Sequence, residues 1–275
     1  MKNLVSRNNP QIKQIHHLLR QRKQRDQSGL FVVEGIRHIG EACAALAKVE
    51  YICYAADLLT SDFALQLVQE QSALGIPCYA VEKDIFLGLA NKENPQGMLA
   101  VVRKPNWQLD HLTIDNFKWG VALVAPQDPG NIGTILRTID AVGASGVLLL
   151  DDPANSQFSA DPYHPGSVRA SMGAIFWYPL VTTTFVNFVS WSQARGYHIY
   201  GTSSHGSQDF QAVGVYKFPL ILLMGSERQG LTVDQSAACE VILRMPMKGR
   251  VTSLNLAVAT GVMLYKMVSD LHSEI

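Results

Sequence analysis

The stretch from Met245 to Lys266 constrains the fold most, because it joins a strand end, a turn and an amphipathic helix without a break. The apolar strand before it is stopped by Pro246, and Ser253 stands where a helix N-cap is expected. A strand end beside a helix N-terminus presents several backbone N–H groups at one point. We therefore predict that a polar small molecule binds here, held mainly by the main chain.

The helix in this stretch is apolar on more than one side. One stripe contains Leu254, Val258, Val262 and Tyr265, and Met263 lies roughly opposite. A helix that is apolar all round must be covered on both flanks. We therefore expect the sheet on one side and a partner subunit on the other. An ordinary core helix after an edge strand is the alternative.

The composition predicts a well-buried α/β protein. Of the 275 residues, 47% are hydrophobic and 17% are charged, whereas an average globular protein has roughly 25% charged residues. The formal net charge is +0, so no overall field attracts the chain to nucleic acid. The charge is uneven, however, because residues 1–25 are rich in Lys and Arg and contain no acidic residue. Such an arm is typical of phosphate contact; a solvated helix face is the alternative.

Neither a metal site nor a disulfide is predicted. The cysteines at 43, 53, 78 and 239 show no CxxC pair and no histidine at ligand spacing. They are typical of reduced core thiols in a cytoplasmic protein. The sequence shows no signal peptide and no apolar run of membrane-spanning length, and we expect a cytoplasmic location.

Two α/β domains are expected. Four strands alternate with helices in the N-terminal third, which predicts a small domain over residues 1–104. Residues 105–118 have the composition of a linker. Trp119 then opens a near-continuous apolar strand of the parallel-sheet kind, and we assign residues 119–275 to the second domain.

Three Gly-containing loops follow strands in the second domain, and ligands of open α/β sheets bind outside the carboxyl ends of the strands. We expect the loops to form one site. The GNIG sequence in the first loop lacks the GxGxxG spacing of a dinucleotide fold, so an NAD site is not favoured. A separate long loop at 153–168 carries Tyr163 and His164, for which RNA contact is the less favoured role. The three loops are Asp128 to Gly133, Gly225 to Leu231 and Met245 to Asn255.

These loops carry motifs that resemble the SpoU (TrmH-type) ribose 2'-O-methyltransferases of the SPOUT superfamily. The likeness extends over residues 119–270, and the N-terminal third resembles the family's substrate-binding domain of ribosomal-protein-like fold. The motifs of the second domain are DPGNIGTILRT (Asp128 to Thr138), RASMGA (Arg169 to Ala174), LMGSERQGL (Leu223 to Leu231) and MPMKGRVTSLNLAVATG (Met245 to Gly261). Those of the first are FVVEGIRHIGEA (Phe31 to Ala42) and NPQGMLAVV (Asn94 to Val102).

The resemblance implies an α/β fold with a C-terminal knotted (SPOUT-type) methyltransferase domain and a small N-terminal α/β substrate-binding domain. It also implies S-adenosylmethionine as methyl donor, a deep trefoil knot, and a homodimer packed through the first-motif helix and the last helix. The expected reaction is methylation of a ribose 2'-hydroxyl, in large-subunit ribosomal RNA rather than transfer RNA. Transfer-RNA methylation, base methylation and a non-catalytic RNA-binding homologue are the alternatives.

The resemblance also assigns site residues by position. Arg228 and Lys266 depart from the family pattern, which often has Gly and an acidic residue there. Cofactor contacts fall on the main chain at Gly225, Met245 and Leu254, with Ser253 and Asn255 nearby. The functional polar residues are Asn131, Arg137, Glu227, Ser253 and Asn255. The RNA contacts are expected from the charge of the basic arm, at Arg7, Lys13, Arg20, Arg22, Lys23 and Arg25, together with Arg169.

Arg137 is the residue expected to matter most for the chemistry. In-line displacement at a methyl group depends on positioning and on charge placement. Guanidinium groups stay protonated in proteins, so we assign Arg137 to an electrostatic clamp on the target phosphate and the nascent alkoxide. Base action by this residue is the alternative. Asn131 would orient the ribose or phosphate, and Glu227 would order its loop or position Arg137.

Overall fold

The computed structural model describes residues 2–4, 6–90 and 95–271, and the chain divides into two compact units. The N-terminal unit comprises Met1–Asn106 and Asp161–Trp177, and the C-terminal unit comprises Trp107–Ala160 and Tyr178–Ile275. Asn94, the first residue of the NPQGMLAVV motif, lies outside the described residues. The linker and domain limits expected from composition stay predictions.

Strands and helices alternate along the chain. The first part contains β1 (Lys2–Leu4), α1 (Pro10–Arg20), α2 (Arg22–Ser28), β2 (Leu30–Glu34), α3 (Ile36–Ala44), β3 (Val49–Tyr54), α4 (Asp62–Ala73), β4 (Cys78–Val81), α5 (Lys83–Leu89) and β5 (Met98–Arg103). The second contains β6 (Trp119–Val124), α6 (Pro129–Val142), β7 (Val147–Asp151), α7 (Pro165–Ala170), β8 (Leu180–Thr184), α8 (Phe185–Ala194), β9 (His198–Thr202), β10 (Gln208–Asp209), β11 (Leu220–Met224), α9 (Val233–Ala237), β12 (Val241–Arg244) and α10 (Leu256–Leu271).

The N-terminal unit is built on a five-stranded mixed sheet in the order β1-β4-β3-β5-β2. Strand β5 is antiparallel to β2 and β3, whereas β4 is parallel to β3 and β1. Helix α1 begins after Asn9, whose side chain accepts a hydrogen bond from the Gln11 backbone N–H at 2.9 Å. Ile12, Ile15 and Leu18 recur on one face of α1 and are buried in the core of the unit. The four strands expected from the sequence are confirmed, and β1 adds a fifth.

The segment Asp161–Trp177 belongs to the N-terminal unit because of its aromatic and polar contacts. Phe31 in β2 is fully buried, with its ring centroid 4.8 Å from that of Tyr163 and 6.1 Å from that of Phe176. The Trp177 indole N–H donates to the Glu41 carboxylate at 3.1 Å. Tyr163 is therefore a core residue and has little surface to offer to RNA.

Arg25 is also buried, at 2% exposure, although it lies in the basic arm. Its Nε donates to Asp161 Oδ2 at 2.6 Å, and Asp161 is 6% exposed. A second donor on the guanidinium bonds the Leu18 carbonyl. The sequence-based assignment of Arg25 to RNA contact therefore needs correction, because this charge is used inside the protein.

Asp161→Asn should lower the free energy of unfolding by about 3–5 kcal/mol, because it leaves the Arg25 charge buried without its counter-ion. Urea denaturation would measure the change. The double variant Arg25→Met with Asp161→Leu removes both charges and should recover part of the loss, because it also removes the carboxylate oxygen that accepts the Tyr163 backbone N–H at 2.9 Å. As a matched control, Asp26→Asn breaks contacts of a carboxylate that is half exposed and should cost less than about 1 kcal/mol. Equal losses for the two single variants would contradict this account.

The C-terminal unit is built on a seven-stranded sheet in the order β10-β12-β9-β11-β6-β7-β8, and all of its pairings are parallel. Every residue of β6 and β11 is buried, as expected for strands covered on both faces. Strands β6 and β11 are neighbours in the sheet. From β6 the chain adds β7 and β8 on one side, whereas β9 and β12 lie on the side of β11, so the strand order reverses between β6 and β11. Such a switch point is where open α/β sheets bind ligands.

Helices α6 and α10 pack on each other in this unit. A Cβ at Gly261 of α10 would lie 3.9 Å from the Thr138 methyl group of α6. On α10, Leu256, Met263 and Leu264 are buried, and the opposite stripe is exposed. Its exposed members are Val258 at 53%, Val262 at 40% and Tyr265 at 59%. The α/β fold class is thus confirmed, while the trefoil knot stays a prediction.

Across residues 2–4, 6–90 and 95–271, no helix has the length and apolarity needed to cross a membrane. The same residues contain no group of three or more His, Cys, Asp or Glu side chains placed to hold a metal ion.

Candidate active site

A cavity of about 750 Å³ opens at the carboxyl ends of β9, β11 and β12, with the N-terminus of α10 forming one wall. Its volume lies within the range of small-molecule sites, roughly 300–1,000 Å³. Apolar side chains such as Met224, Leu243 and Met263 face it beside the backbone of the strand-end loops. All five residues expected at the cofactor line it, namely Gly225, Met245, Ser253, Leu254 and Asn255.

Gly225 is required by the tight loop after β11. Ser226 and Gly230 exchange two backbone hydrogen bonds of 3.1 and 2.9 Å, which brings the two arms of the loop together. A Cβ at Gly225 would stand 2.3 Å from the Gly230 carbonyl carbon and 2.5 Å from the Leu231 nitrogen. Because both are backbone atoms, any larger residue would force the loop open.

A chain of hydrogen bonds joins the three loops expected to form the site. The Asn255 amide donates to Asn131 Oδ1 at 3.0 Å, and the Asn131 amide donates to Glu227 Oε1 at 3.0 Å. The other carboxylate oxygen of Glu227 accepts the Gln127 backbone N–H at 3.0 Å. The structure therefore brings together three of the predicted polar residues, each from a different loop.

Helix capping fixes two of these side chains. Asp128 caps α6 by accepting the Gly130 N–H at 2.8 Å, which places Asn131 inside the first turn and leaves its carboxamide for the network. Asn255 Oδ1 accepts the Ala257 N–H at 2.9 Å and so caps α10. The prediction that Ser253 caps this helix is wrong, because α10 begins only at Leu256. Ser253 instead lines the cavity.

Gln127 was not identified from the sequence, although it precedes Asp128 directly. Its side-chain amide donates to the carbonyls of Ala125, at 2.7 Å, and Phe158, at 3.0 Å. Ala125 has a φ of 41°, a left-handed conformation that a non-glycine residue rarely adopts. Strained backbone of this kind is common beside functional sites, and Gln127 stabilises it here.

The loop after β9 is a second part of the site that sequence reasoning missed. Thr202, Ser203 and His205 line the cavity. A run of small polar residues directly after a buried strand is the signal that could have identified this loop.

Arg137 lies on the exposed side of α6 and does not join the hydrogen-bond chain. Its guanidinium makes no hydrogen bond or ion pair with any residue that the structure describes. It lies six positions after Asn131, which corresponds to about 9 Å along the helix axis. The side chain is thus a solvated cation whose donors are all available to an anionic ligand.

The predicted RNA contacts lie on the N-terminal unit. Arg169 is partly buried in α7, and its backbone carbonyl contacts His38 Nε2 at 3.2 Å. The other members, apart from buried Arg25, have exposed side chains in or before α1 and α2: Arg7, Lys13, Arg20, Arg22 and Lys23.

The cysteines offer no nucleophile at neutral pH. Burial raises the pKa of Cys239 to about 12 and, with a contribution from Cys78, that of Cys53 to about 12. Burial also raises the pKa of Cys43, to about 11, and that of Cys78. Since the thiolate is the reactive form, the arrangement suits chemistry that does not pass through a covalent bond to cysteine.

Comparison with known proteins gives consistent matches. The sequence model of the SpoU rRNA Methylase family matches residues 118–265, and that of the MRM3-like substrate binding domain matches residues 9–100. A 23S rRNA (uridine(2479)-2'-O)-methyltransferase of Streptomyces viridochromogenes is 32% identical over 96% of this chain and 91% of its own length. The 23S rRNA (guanosine(2553)-2'-O)-methyltransferase RlmP of Bacillus subtilis is 28% identical, and the match covers 96% of this chain and 98% of that protein.

Among solved structures, the AdoMet-bound rRNA methyltransferase from Sinorhizobium meliloti superposes with a TM-score of 0.87. It is 31% identical in sequence, and the match covers 98% of both chains.

Proposed function

The chain belongs to the SpoU rRNA methylase family, and from that premise we propose that it methylates a ribose 2'-hydroxyl of large-subunit ribosomal RNA. The methyl donor is S-adenosylmethionine, which is bound in the similar Sinorhizobium meliloti structure. The observation that carries the proposal is the hydrogen-bond chain from Asn255 through Asn131 to Glu227 at the cavity. It unites polar residues from three family motifs beside a space of cofactor size.

The residues around the cavity fit this cofactor. S-adenosylmethionine supplies a methyl group made electrophilic by its sulfonium. Apolar walls at Leu243, Leu254 and Met263 suit an adenine ring, while the strand-end loops offer backbone donors and acceptors. Glu227 and Arg228 line the same cavity, so one acidic and one basic group are available to a zwitterionic ligand with a sulfonium, an amino group and a carboxylate.

The roles of the polar residues follow from their positions. Asn131 and Asn255 fix each other's carboxamides, so they hold the cofactor end of the site in one geometry. Glu227 ties the loop after β11 to the loop after β6 through Gln127. Arg137 binds the target phosphate and stabilises the alkoxide that forms on the ribose, with base action as the alternative.

Basic residues that are exposed or, for Arg169, partly buried would bring the RNA to the enzyme by neutralising phosphates. We assign this role to Arg7, Lys13, Arg20, Arg22, Lys23 and Arg169 and leave out Arg25, which is paired inside the protein. Action on ribosomal RNA favours a cytoplasmic location, which is part of the same proposal.

A labelled-methyl assay tests the function. Purified protein would be incubated with labelled S-adenosylmethionine and, separately, with unmethylated 23S rRNA, 16S rRNA and total transfer RNA. We expect label in 23S rRNA, recovered after nuclease digestion as a 2'-O-methylnucleoside. Label in transfer RNA alone would reassign the substrate, label in bases alone would reassign the reaction, and cofactor binding without transfer would indicate a non-catalytic RNA-binding protein.

The exposed stripe of α10 supports a homodimer. Val258, Val262 and Tyr265 form a contiguous apolar strip on a helix whose other face is buried, and such a strip is typical of an interface. The trefoil knot belongs to the same family-based proposal.

Val262→Asp should convert the dimer to a monomer in sedimentation velocity, because it places an unpaired charge in the buried interface. The matched control is Val186→Asp on α8, where the valine is 72% exposed and the dimer should persist. A monomeric parent protein, or a Val262→Asp variant that stays dimeric, would rule out this interface.

A further inference from the structure

The N-terminal unit contains a cavity of about 310 Å³ between α1 and α5. Its floor is apolar and consists of Ile12 from α1 with Ile85 and Leu89 from α5, which are 4%, 7% and 5% exposed. Gly88 also lines the cavity on the α5 side, and it has no side chain to fill the space. The volume is at the lower end of the range for ligand sites, roughly 300–1,000 Å³, so the cavity suits one flat ring system and not a helix or a peptide strand.

The rim of this cavity is basic. Arg7 and Lys13 supply the positive charge, His16 and His17 also line the cavity, and the lining residues include no acid. Burial, with Arg20 and His17, lowers the pKa of His16, so that imidazole is neutral at neutral pH and offers one donor and one acceptor. A ligand that fits must therefore combine an apolar face with nearby negative charge.

A neighbouring cavity of about 240 Å³ shares Lys13 and His17 with the first. These two side chains stand between the cavities, which together form a longer concave surface along α1 with Lys13 near its middle. A charged polymer with flat groups at intervals matches such a surface better than a small anion does.

We propose that the cavity between α1 and α5 receives one unstacked base of single-stranded RNA, while Arg7 and Lys13 hold the flanking phosphates. Sequence-tolerant recognition of single strands combines such stacking or apolar contact with a basic track. The proposal rests on the assigned function, because it names the form of RNA that the N-terminal unit recognises. It differs from phosphate contact alone, which needs no cavity.

A substitution at Gly88 can test the base contact in the cavity without changing the phosphate contacts of Arg7 and Lys13. A Cβ built on this glycine meets nothing within 4 Å, and the residue lies within helix α5, where Gly is less favourable than other residues by up to about 1 kcal/mol. A larger side chain at this position can occupy the cavity without strain and without removing a positive charge. Gly88→Met is thus a filling variant, and Gly88→Ala is its matched control.

The experiment measures fluorescence anisotropy of a labelled single-stranded RNA 12-mer and of a double-stranded RNA of equal length. A base stacked on an aromatic ring contributes about 1–3 kcal/mol; the floor here is aliphatic, so we take the lower end, and Gly88→Met should bind the single strand about fivefold more weakly or worse. Gly88→Ala should match the parent protein within about twofold, since it leaves most of the cavity open. Both variants should bind the double strand as the parent does, whereas Lys13→Ala should weaken both RNAs and reduce the salt dependence.

Single-strand binding by Gly88→Met equal to that of the parent would overturn the proposal, and so would equal losses for Gly88→Met and Gly88→Ala. Gly88→Gln provides a second filling variant of similar size, and thermal unfolding of each variant confirms that the unit is folded. Because anisotropy does not require turnover, a parent protein that binds RNA but transfers no methyl group would refute the assigned function and leave this result standing. In the methyl-transfer assay, Gly88→Met should raise KM for 23S rRNA with kcat and cofactor affinity unchanged.

Discussion

Replacing Arg137 by alanine is expected to lower kcat for methyl transfer by a factor of roughly 10² to 10³, the loss typical of removing one group that stabilises charge in the transition state. The affinity for S-adenosylmethionine should stay nearly intact, because Arg137 does not line the cavity. Its guanidinium is exposed on α6 and has no partner among the described residues, so it is free to bind the substrate. Labelled-methyl turnover and a calorimetric cofactor titration would measure the two quantities.

Two further variants test whether the effect depends on the charge of Arg137 and whether it is specific to this position. Arg137→Lys keeps the charge but loses the planar fork, and partial activity would support an electrostatic clamp that depends on charge. Arg195→Ala is the control, since Arg195 follows α8 at the amino ends of the strands, with its guanidinium carbon 5.5 Å from the Trp191 ring. Turnover of Arg137→Ala comparable to that of the parent would reject the assigned role.

Gly225→Ala should weaken S-adenosylmethionine binding about five- to hundredfold, corresponding to the 1–3 kcal/mol that overpacking usually costs. The added methyl carbon would lie 2.3 Å from a backbone carbon of Gly230. The loop after β11 must therefore move, and it forms one wall of the cavity. Methyl transfer at limiting cofactor should fall with the affinity.

A control for this substitution is Gly214→Ala, because a Cβ at Gly214 meets nothing within 4 Å. Its cofactor affinity should equal that of the parent. If Gly225→Ala binds the cofactor as tightly as the Gly214 variant, the loop after β11 is not part of the binding site.

The features that the sequence predicts well are local ones. The apolar run of β6 indicated a buried parallel strand, and the Gly-containing turns after the strands indicated loops at one edge of the sheet. Chain order and the parallel-sheet rule were enough to predict that the loops meet, whereas Asn131, Glu227 and Asn255 were selected within them by the family resemblance. Their hydrogen-bond pattern was not predictable, since it depends on how the two carboxamides and the Glu227 carboxylate are oriented toward one another.

The features that the sequence did not predict depend on distant partners. Arg25 resembles its basic neighbours in every local respect, and its counter-ion Asp161 is 136 residues away. Ser253 and Asn255 are both good N-cap residues, and only the position at which the backbone becomes helical decides between them. The loop after β9 contains no glycine-rich signature, and its role follows from the position of β9 beside β11.

Because Asp161–Trp177 belongs to the N-terminal unit, the two units cannot fold strictly in chain order during synthesis on the ribosome. Domains usually fold as they emerge, the N-terminal one first, but here the first 106 residues lack the chain that covers Phe31 and neutralises Arg25. That unit can be completed only after β6, α6 and β7 have been made. For the same reason, a chimera that exchanges the first domain between relatives must carry residues 161–177 along with it.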